Sequence, residues 1–165
     1  MRPTKQRLLS LALVASALCA ASACKQSGPG PAPVTEAEAT KIAETAEATF
    51  IGGDVGRIMD QYADKAVMID ASKPDPIADR KIATESARAF VSMKPGDYQV
   101  LDRHIQLVGP DAFVSSGIQR FTVAAGTARP TTSVRFTDVF QRQPDKSWKI
   151  VHEHMSMPPT PSAQL

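Results

Sequence analysis

Cysteine is almost absent from this chain, with two in 165 residues, Cys19 and Cys24. Cys19 sits inside an apolar leader and Cys24 follows it. The body therefore has no thiol for an internal disulfide, a cysteine-based metal site or a thiol nucleophile. Aromatic residues make up only 5% of the chain, with a single Trp. Leu8 to Ala23 is apolar or small throughout, but at sixteen residues, with Ser10, Ser16 and Ser22 among them, it is short for a membrane-spanning helix. No Gly-x-Gly-x-x-Gly or Walker pattern occurs, so no phosphate loop is expected, and no nucleophile-elbow motif supports Ser/His/Asp catalysis. Basic charge is also scarce. Setting aside Arg2, Lys5 and Arg7 leaves 16 basic residues against 17 acidic ones, a net charge of about −1. A near-neutral body without a basic run argues against a nucleic-acid partner. No internal repeat is visible.

What is present begins with an address. Arg2, Lys5 and Arg7 ahead of the apolar stretch have the form of a secretory signal peptide over residues 1–23. Its end, Ala21-Ser22-Ala23-Cys24, resembles the lipobox of bacterial lipoproteins, with Ala21 where that motif usually has Leu. The resemblance implies lipidation of Cys24, export to the cell envelope and anchoring to a bacterial membrane through that residue alone. Simple cleavage after Ala-x-Ala, leaving a free Cys24, is the other reading. Residues 24–34, rich in Pro and Gly, suit a tether. Residues 35–158 form the domain, and 159–165 a Pro-rich tail without periodicity.

Within the domain the hydrophobic period changes once. Thr35 and Glu38 form a capping box, and Ala39, Ile42, Ala43, Ala46 and Phe50 follow at helical spacing until Gly52-Gly53. Asp54 caps a short second helix with Val55, Ile58, Met59 and Tyr62 inward. Ala66–Ile69 reads as a brief strand that delivers Asp70. A third helix runs from about Asp79 to Met93, with Ile82, Ala83, Ala87, Phe90 and Val91 inward. From Tyr98 the period becomes two. Strands are expected over 98–108, 112–124, 132–142 and 148–156, joined by turns at Gly109-Pro110, Gly126 to Pro130 and Pro144 to Ser147. The fold class is α+β, with three N-terminal helices packed on a curved antiparallel sheet of four to five strands.

Asp138, flanked by Phe136 and Phe140, is the acidic residue with the most consequence. On an inward face its pKa would rise by desolvation, which suits proton transfer or hydrogen-bond donation. Pairing with Arg120, or an outward-facing position, are the bland alternatives. Asp70 ends a strand beside a loop, a common place for a working residue, although it also suits a turn that caps Ser72. His152 and His154 share one strand face, and Glu153 points to the other. No further spacing supports a metal site there.

The order helix, Gly-Asp, short helix, Tyr62-Ala63-Asp64-Lys65-Ala66-Val67, third helix and four strands resembles the nuclear transport factor two-like superfamily. The strand endings Asp138-Val139-Phe140 and Trp148 to Ser156 are similar to those of its SnoaL-like and calcium/calmodulin kinase association-domain branches. The resemblance implies a cone-shaped pocket for a small apolar or mixed-polarity ligand, no cofactor, and a homodimer through the sheet's outer face. Laid on the ketosteroid isomerase pattern, Asp70 takes the base position and Asp138 that of the acid, while the tyrosine position falls on Ala46. The ligand would meet Tyr62, Phe90, Arg120, Phe136, His152 and His154. A binding module is therefore the first expectation, with a small isomerase, cyclase or dehydratase using Asp70 as base and Asp138 as acid as the alternative.

Overall fold

The structure, a computed structural model, describes residues 31–159. The leader, Cys24, most of the tether and the tail beyond Pro159 lie outside the described residues.

Helix α1 (Glu36–Ile51) starts where the capping box puts it. Glu38 N–H donates to Thr35 Oγ1 at 3.3 Å, and Thr35 N–H donates to Glu38 Oε2 at 3.4 Å. Each bond satisfies an amide that the first turn leaves bare. Its small residues Ala39 and Ala43 are buried, which lets the helix approach closely. After Gly53, whose φ of 72° suits glycine, Asp54 caps α2 (Val55–Met59) by accepting from Arg57 N–H at 3.0 Å. Strand β1 (Tyr62–Ile69) follows, then α3 (Arg80–Ser92), capped by Asp79. The remaining strands are β2 (Gly96–Gly109), β3 (Ala112–Thr122), β4 (Thr131–Arg142) and β5 (Trp148–Ser156).

The five strands make one sheet in the order β1-β5-β4-β3-β2. Three pairs are antiparallel hairpins, but β1 pairs with β5 in parallel. The sheet is thus mixed, which corrects the antiparallel expectation. Only two helices precede the first strand, since α3 lies after β1. The parallel pairing follows from the path of the chain. β1 begins at Tyr62, four residues earlier than Ala66, and the chain then leaves through α3 and three strands before returning beside it. Side-chain alternation reports which face a residue takes, not the direction of its neighbour. On α3, Ala83 and Ala87 are buried as expected, whereas Ile82 is 51% exposed.

The sheet curls around its inner face, helped by a bulge in β2 between Val100 and Asp102. There the Asp102 carbonyl crosses so close to Gly117 that a Cβ on residue 117 would sit 2.0 Å from its oxygen. Glycine is what lets the two backbones meet. At one end of the curl aromatic residues pack on each other. Phe113 and Phe140 stack at 4.6 Å between ring centroids, Trp148 tilts against Phe113 at 5.3 Å, and Arg142 covers the Trp148 ring at 5.0 Å. The other end, below α3, is left open.

Candidate functional site

The inner face of the sheet follows from register. On β4, Val134, Phe136, Asp138 and Phe140 alternate inward, opposite Gln119, Gly117, Ser115 and Phe113 of β3. On β5 the alternation breaks. Phe140 pairs with Ile150, but Val139 pairs with His152, so Val151 is an extra residue in a bulge. Ile150 and Glu153 then both face inward, 4% and 6% exposed, while His154 is exposed. A bulge moves every later side chain to the opposite face from the one simple alternation assigns.

That single residue corrects the placement of the two histidines. His152 and His154 lie on the outer face, away from the cavity, because the register slips before reaching them. Arg120 is outside as well, since the inward residues of β3 are Phe113, Ser115, Gly117, Gln119 and Phe121. Its guanidinium takes Gln99 Oε1 at 2.5 Å on that outer face, so it does not meet Asp138. Phe136 is buried on the inner face, 2% exposed, but it does not wall the cavity. Tyr62, Phe90 and Asp70 do wall it.

The cavity holds about 290 Å³. Phe50, Phe90 and Phe121 form one aromatic wall, with Phe50 stacked on Phe90 at 4.5 Å and Phe121 edge-on to Phe90 at 5.6 Å. Ile58, Met68, Val134 and Met155 supply apolar surface elsewhere. The chain after β1 is pinned back by paired backbone bonds between Met68 and Ile77, 2.9 and 2.8 Å. This holds Asp70, Ser72 and Lys73 at the cavity's edge.

Asp70 accepts three hydrogen bonds. Its Oδ1 accepts from Ser72 N–H and Ser72 Oγ, both at 2.8 Å, and its Oδ2 accepts from Ser86 Oγ at 3.0 Å. Partial burial works to raise its pKa, but the bonds from Ser72 and Ser86 and the charge of Lys73 outweigh it, so the carboxyl stays below its ordinary value. The turn reading and the pocket reading of Asp70 therefore coexist in one side chain.

Glu153 is the residue that sequence reasoning missed. It is buried and accepts from the Tyr62 hydroxyl at 2.6 Å. Burial pushes its carboxyl up to about 7, against the hydrogen bond from Tyr62 and with help from the charge of Asp70. The same burial and the Glu153 charge push the Tyr62 hydroxyl well up. The signal in the sequence was the neighbouring pair Ile150-Val151, two β-branched apolar residues where strict alternation allows one.

Behind Tyr62 and Glu153 lies a smaller chamber of about 30 Å³, walled also by Glu47, Tyr98, Gln119 and Asp138. Asp138 is therefore inside the fold but not beside Asp70 in the larger cavity. Its Oδ1 is closed off from solvent without a hydrogen-bond partner. Burial first, then the neighbouring carboxyls of Glu153 and Glu47, raise its pKa well above the ordinary value, while Arg103 opposes them. Glu47 is paired to Arg103 at 2.7 Å, and Tyr98 donates to Gln119 Oε1 at 2.8 Å. Three inward carboxyls thus wall one chamber, and of them only Glu47 is paired with a guanidinium. Such a layer can accept hydrogen bonds and exchange a proton near neutral pH.

Comparison with curated proteins finds no match. Among solved structures, a protein from Xanthomonas campestris assigned as a calcium/calmodulin-dependent protein kinase II association domain is 23% identical, with 76% of this chain and 90% of that one covered and a TM-score of 0.69. An NTF2-like protein of unknown function from Pseudomonas putida KT2440 is 20% identical over 77% and 89% of the two chains, TM-score 0.64. A protein from Parabacteroides distasonis assigned as a ketosteroid isomerase is 16% identical over 73% and 86%, TM-score 0.58. At these identities the likeness is one of fold. The family model of the SnoaL-like domain matches residues 40–160. This chain belongs to the SnoaL-like domain family.

Proposed function

We propose that this protein is an exported, lipid-anchored binding module whose cavity holds one small, largely apolar molecule. The observation that carries the reading is the cavity itself, about 290 Å³ of apolar and aromatic wall interrupted by a few polar groups. Walls of this kind take a ligand by burying its hydrocarbon, and the few polar groups orient it. Export and anchoring rest on the leader and on Cys24. The test is native mass spectrometry on the purified chain against a small-molecule extract, together with Phe90→Trp, which fills the cavity. A retained ligand that the variant loses supports the module, and equal retention by both removes it. For the anchor, Cys24→Ser should abolish labelling by a fatty-acid precursor, and persistent labelling refutes lipidation there. A homodimer through the sheet's outer face is part of the proposal, and a monomeric mass by light scattering would end it.

The second reading is a small isomerase, cyclase or dehydratase. It is favoured by one observation, a buried carboxyl with a pKa of about 7 in contact with a tyrosine hydroxyl. Asp70 as base remains compatible with it. The acid that shares the cavity with Asp70 is Glu153, and Asp138 lies one chamber further in. Turnover of a ligand found in the screen, lost in Glu153→Gln with binding retained, would establish this reading over the first.

A further inference from the structure

The polar groups that wall the cavity are biased in one direction. Tyr62, Ser72 and Ser86 are donors, and each already spends its hydrogen on a carboxylate of the protein. What remains facing the cavity is mostly acceptor, the carboxyl groups of Asp70 and Glu153, with the Thr132 hydroxyl free to act either way. Lys73 is the one cationic side chain among the walls; it is exposed and makes no ion pair with Asp70 within the described residues. An anionic ligand would meet two carboxyl groups with no buried cation between them. A neutral apolar one would leave their lone pairs desolvated.

Aromatic faces complete the picture. Phe50, Phe90 and Phe121 stand together along the same cavity, and a cation over such rings is attracted by their quadrupoles. We propose that the cavity selects a small apolar molecule carrying one protonated nitrogen, its ammonium held by the Asp70 and Glu153 carboxylates and its hydrocarbon body against the phenylalanine wall. This rests on the binding reading above and names its ligand class.

The selection should depend on pH, because Glu153 offers a full charge only once it ionises. The charged and titratable groups that face it are Tyr62 from β1, Asp70 just after β1 and Asp138 from β4. Glu47 of α1 acts with Arg103 of β2, and Lys73 stands at the edge. Among these Asp70 is ionised throughout the neutral range, and Asp138, raised well above its ordinary value by burial, lies in the chamber behind Glu153 and not on the cavity. Rising pH therefore adds negative charge beside the ligand mainly at Glu153, while an alkylammonium stays protonated to about pH 10.

Isothermal calorimetry on the full chain with three probes of one shape tests this: 2-phenylethylammonium, 2-phenylethanol and 3-phenylpropanoate. At pH 8 the ammonium should bind at least about tenfold more tightly than the alcohol, and the carboxylate should not bind. The gap should narrow several-fold on going from pH 8 to pH 6. Glu153→Gln should flatten that pH dependence, and Asp70→Asn should weaken the ammonium at both pH values. Alcohol binding as tight as the ammonium, or tightest binding by the carboxylate, overturns the cation preference while leaving a binding cavity in place. Binding of none of the three overturns both.

Discussion

The two ends of this sheet use the same residue types for opposite purposes. At one end Phe113, Phe140 and Trp148 pack on each other, with Phe113 fully buried. At the other, Phe50, Phe90 and Phe121 also touch, but they do so along one side of an empty volume. Between the ends lies the layer of Glu153, Tyr62 and Asp138, where buried carboxyl groups outnumber their cations. The difference teaches that a ring enclosed by its neighbours costs more to remove than one that borders a cavity. The open end keeps its shape because α3 and the pinned segment after β1 are held from outside the cavity.

Truncation at each end is the most direct way to break that comparison. Phe113 is fully buried at 0% exposure, and Phe113→Ala should cost about 3–5 kcal/mol by chemical denaturation, the usual range for a phenylalanine removed from a packed core. Phe90→Ala only enlarges a volume that exists already, so its cost should stay near 1–2 kcal/mol while ligand affinity falls at least about tenfold. Equal destabilisation at both sites would show that the open end is packed in solution as tightly as the closed one.

The next effect sharpens the middle layer. Glu153 has a folded pKa of about 7 against an ordinary value of 4.5. A raised carboxyl contributes stability that is complete below the unfolded pKa and is lost as pH rises through the folded one. The protein should therefore melt higher at pH 5 than at pH 8, by on the order of 2 kcal/mol or several degrees in Tm. Asp138, shifted in the same direction, adds to the slope. Glu153→Gln keeps an acceptor for Tyr62 and removes one ionisation, so the variant should lose the share of that slope owed to Glu153 and gain relative stability at pH 8. A wild-type Tm that is flat across this range would place Glu153 in contact with water.

How much of this was legible in the sequence depends on the reach of each determinant. The capping box at Thr35 and Glu38, the caps at Asp54 and Asp79 and the three hairpins rest on residues close in sequence, and local patterns disclose them. Asp70 was legible as a residue at a strand end for the same reason. The parallel pairing of β1 with β5 joins residues about 85 apart, such as Met68 and Glu153, and no local pattern encodes it. The Val151 bulge is the instructive case. Trp148, Ile150, His152 and His154 alternate without a break, so the histidines looked inward and Glu153 outward, and one unpaired residue reversed both. Asp138 was legible as inward-facing from its phenylalanine neighbours. Its separation from Asp70 follows from where Tyr62 and Glu153 stand, which is a tertiary fact.

The smallest expected effect concerns Asp70, and it completes the contrast with Glu153. Both are carboxyl groups on one cavity, yet Asp70 accepts three hydrogen bonds and Glu153 accepts one side-chain bond. A carboxyl whose folded pKa is lowered contributes stability present above its unfolded pKa and lost as pH falls through the folded one. The stability Asp70 contributes is therefore present at neutral pH, and the pH dependence it adds lies on the acid side, below about pH 4, where Glu153 is fully protonated. Asp70→Asn keeps an acceptor toward Ser72 through its amide oxygen, while its Nδ2 replaces the oxygen that takes Ser86. The Ser86 hydroxyl must then turn to accept from it, so at pH 7 the cost of the substitution should be about 1 kcal/mol. Its mark should instead be on the acid limb, where the variant loses less stability than the wild type between about pH 5 and pH 3. Two pH-stability curves, one flattened above pH 5 by Glu153→Gln and the other below pH 5 by Asp70→Asn, would separate the floor of the cavity from its edge. Coincident curves would mean that the two carboxyls titrate as one group and that the cavity has a single polar site.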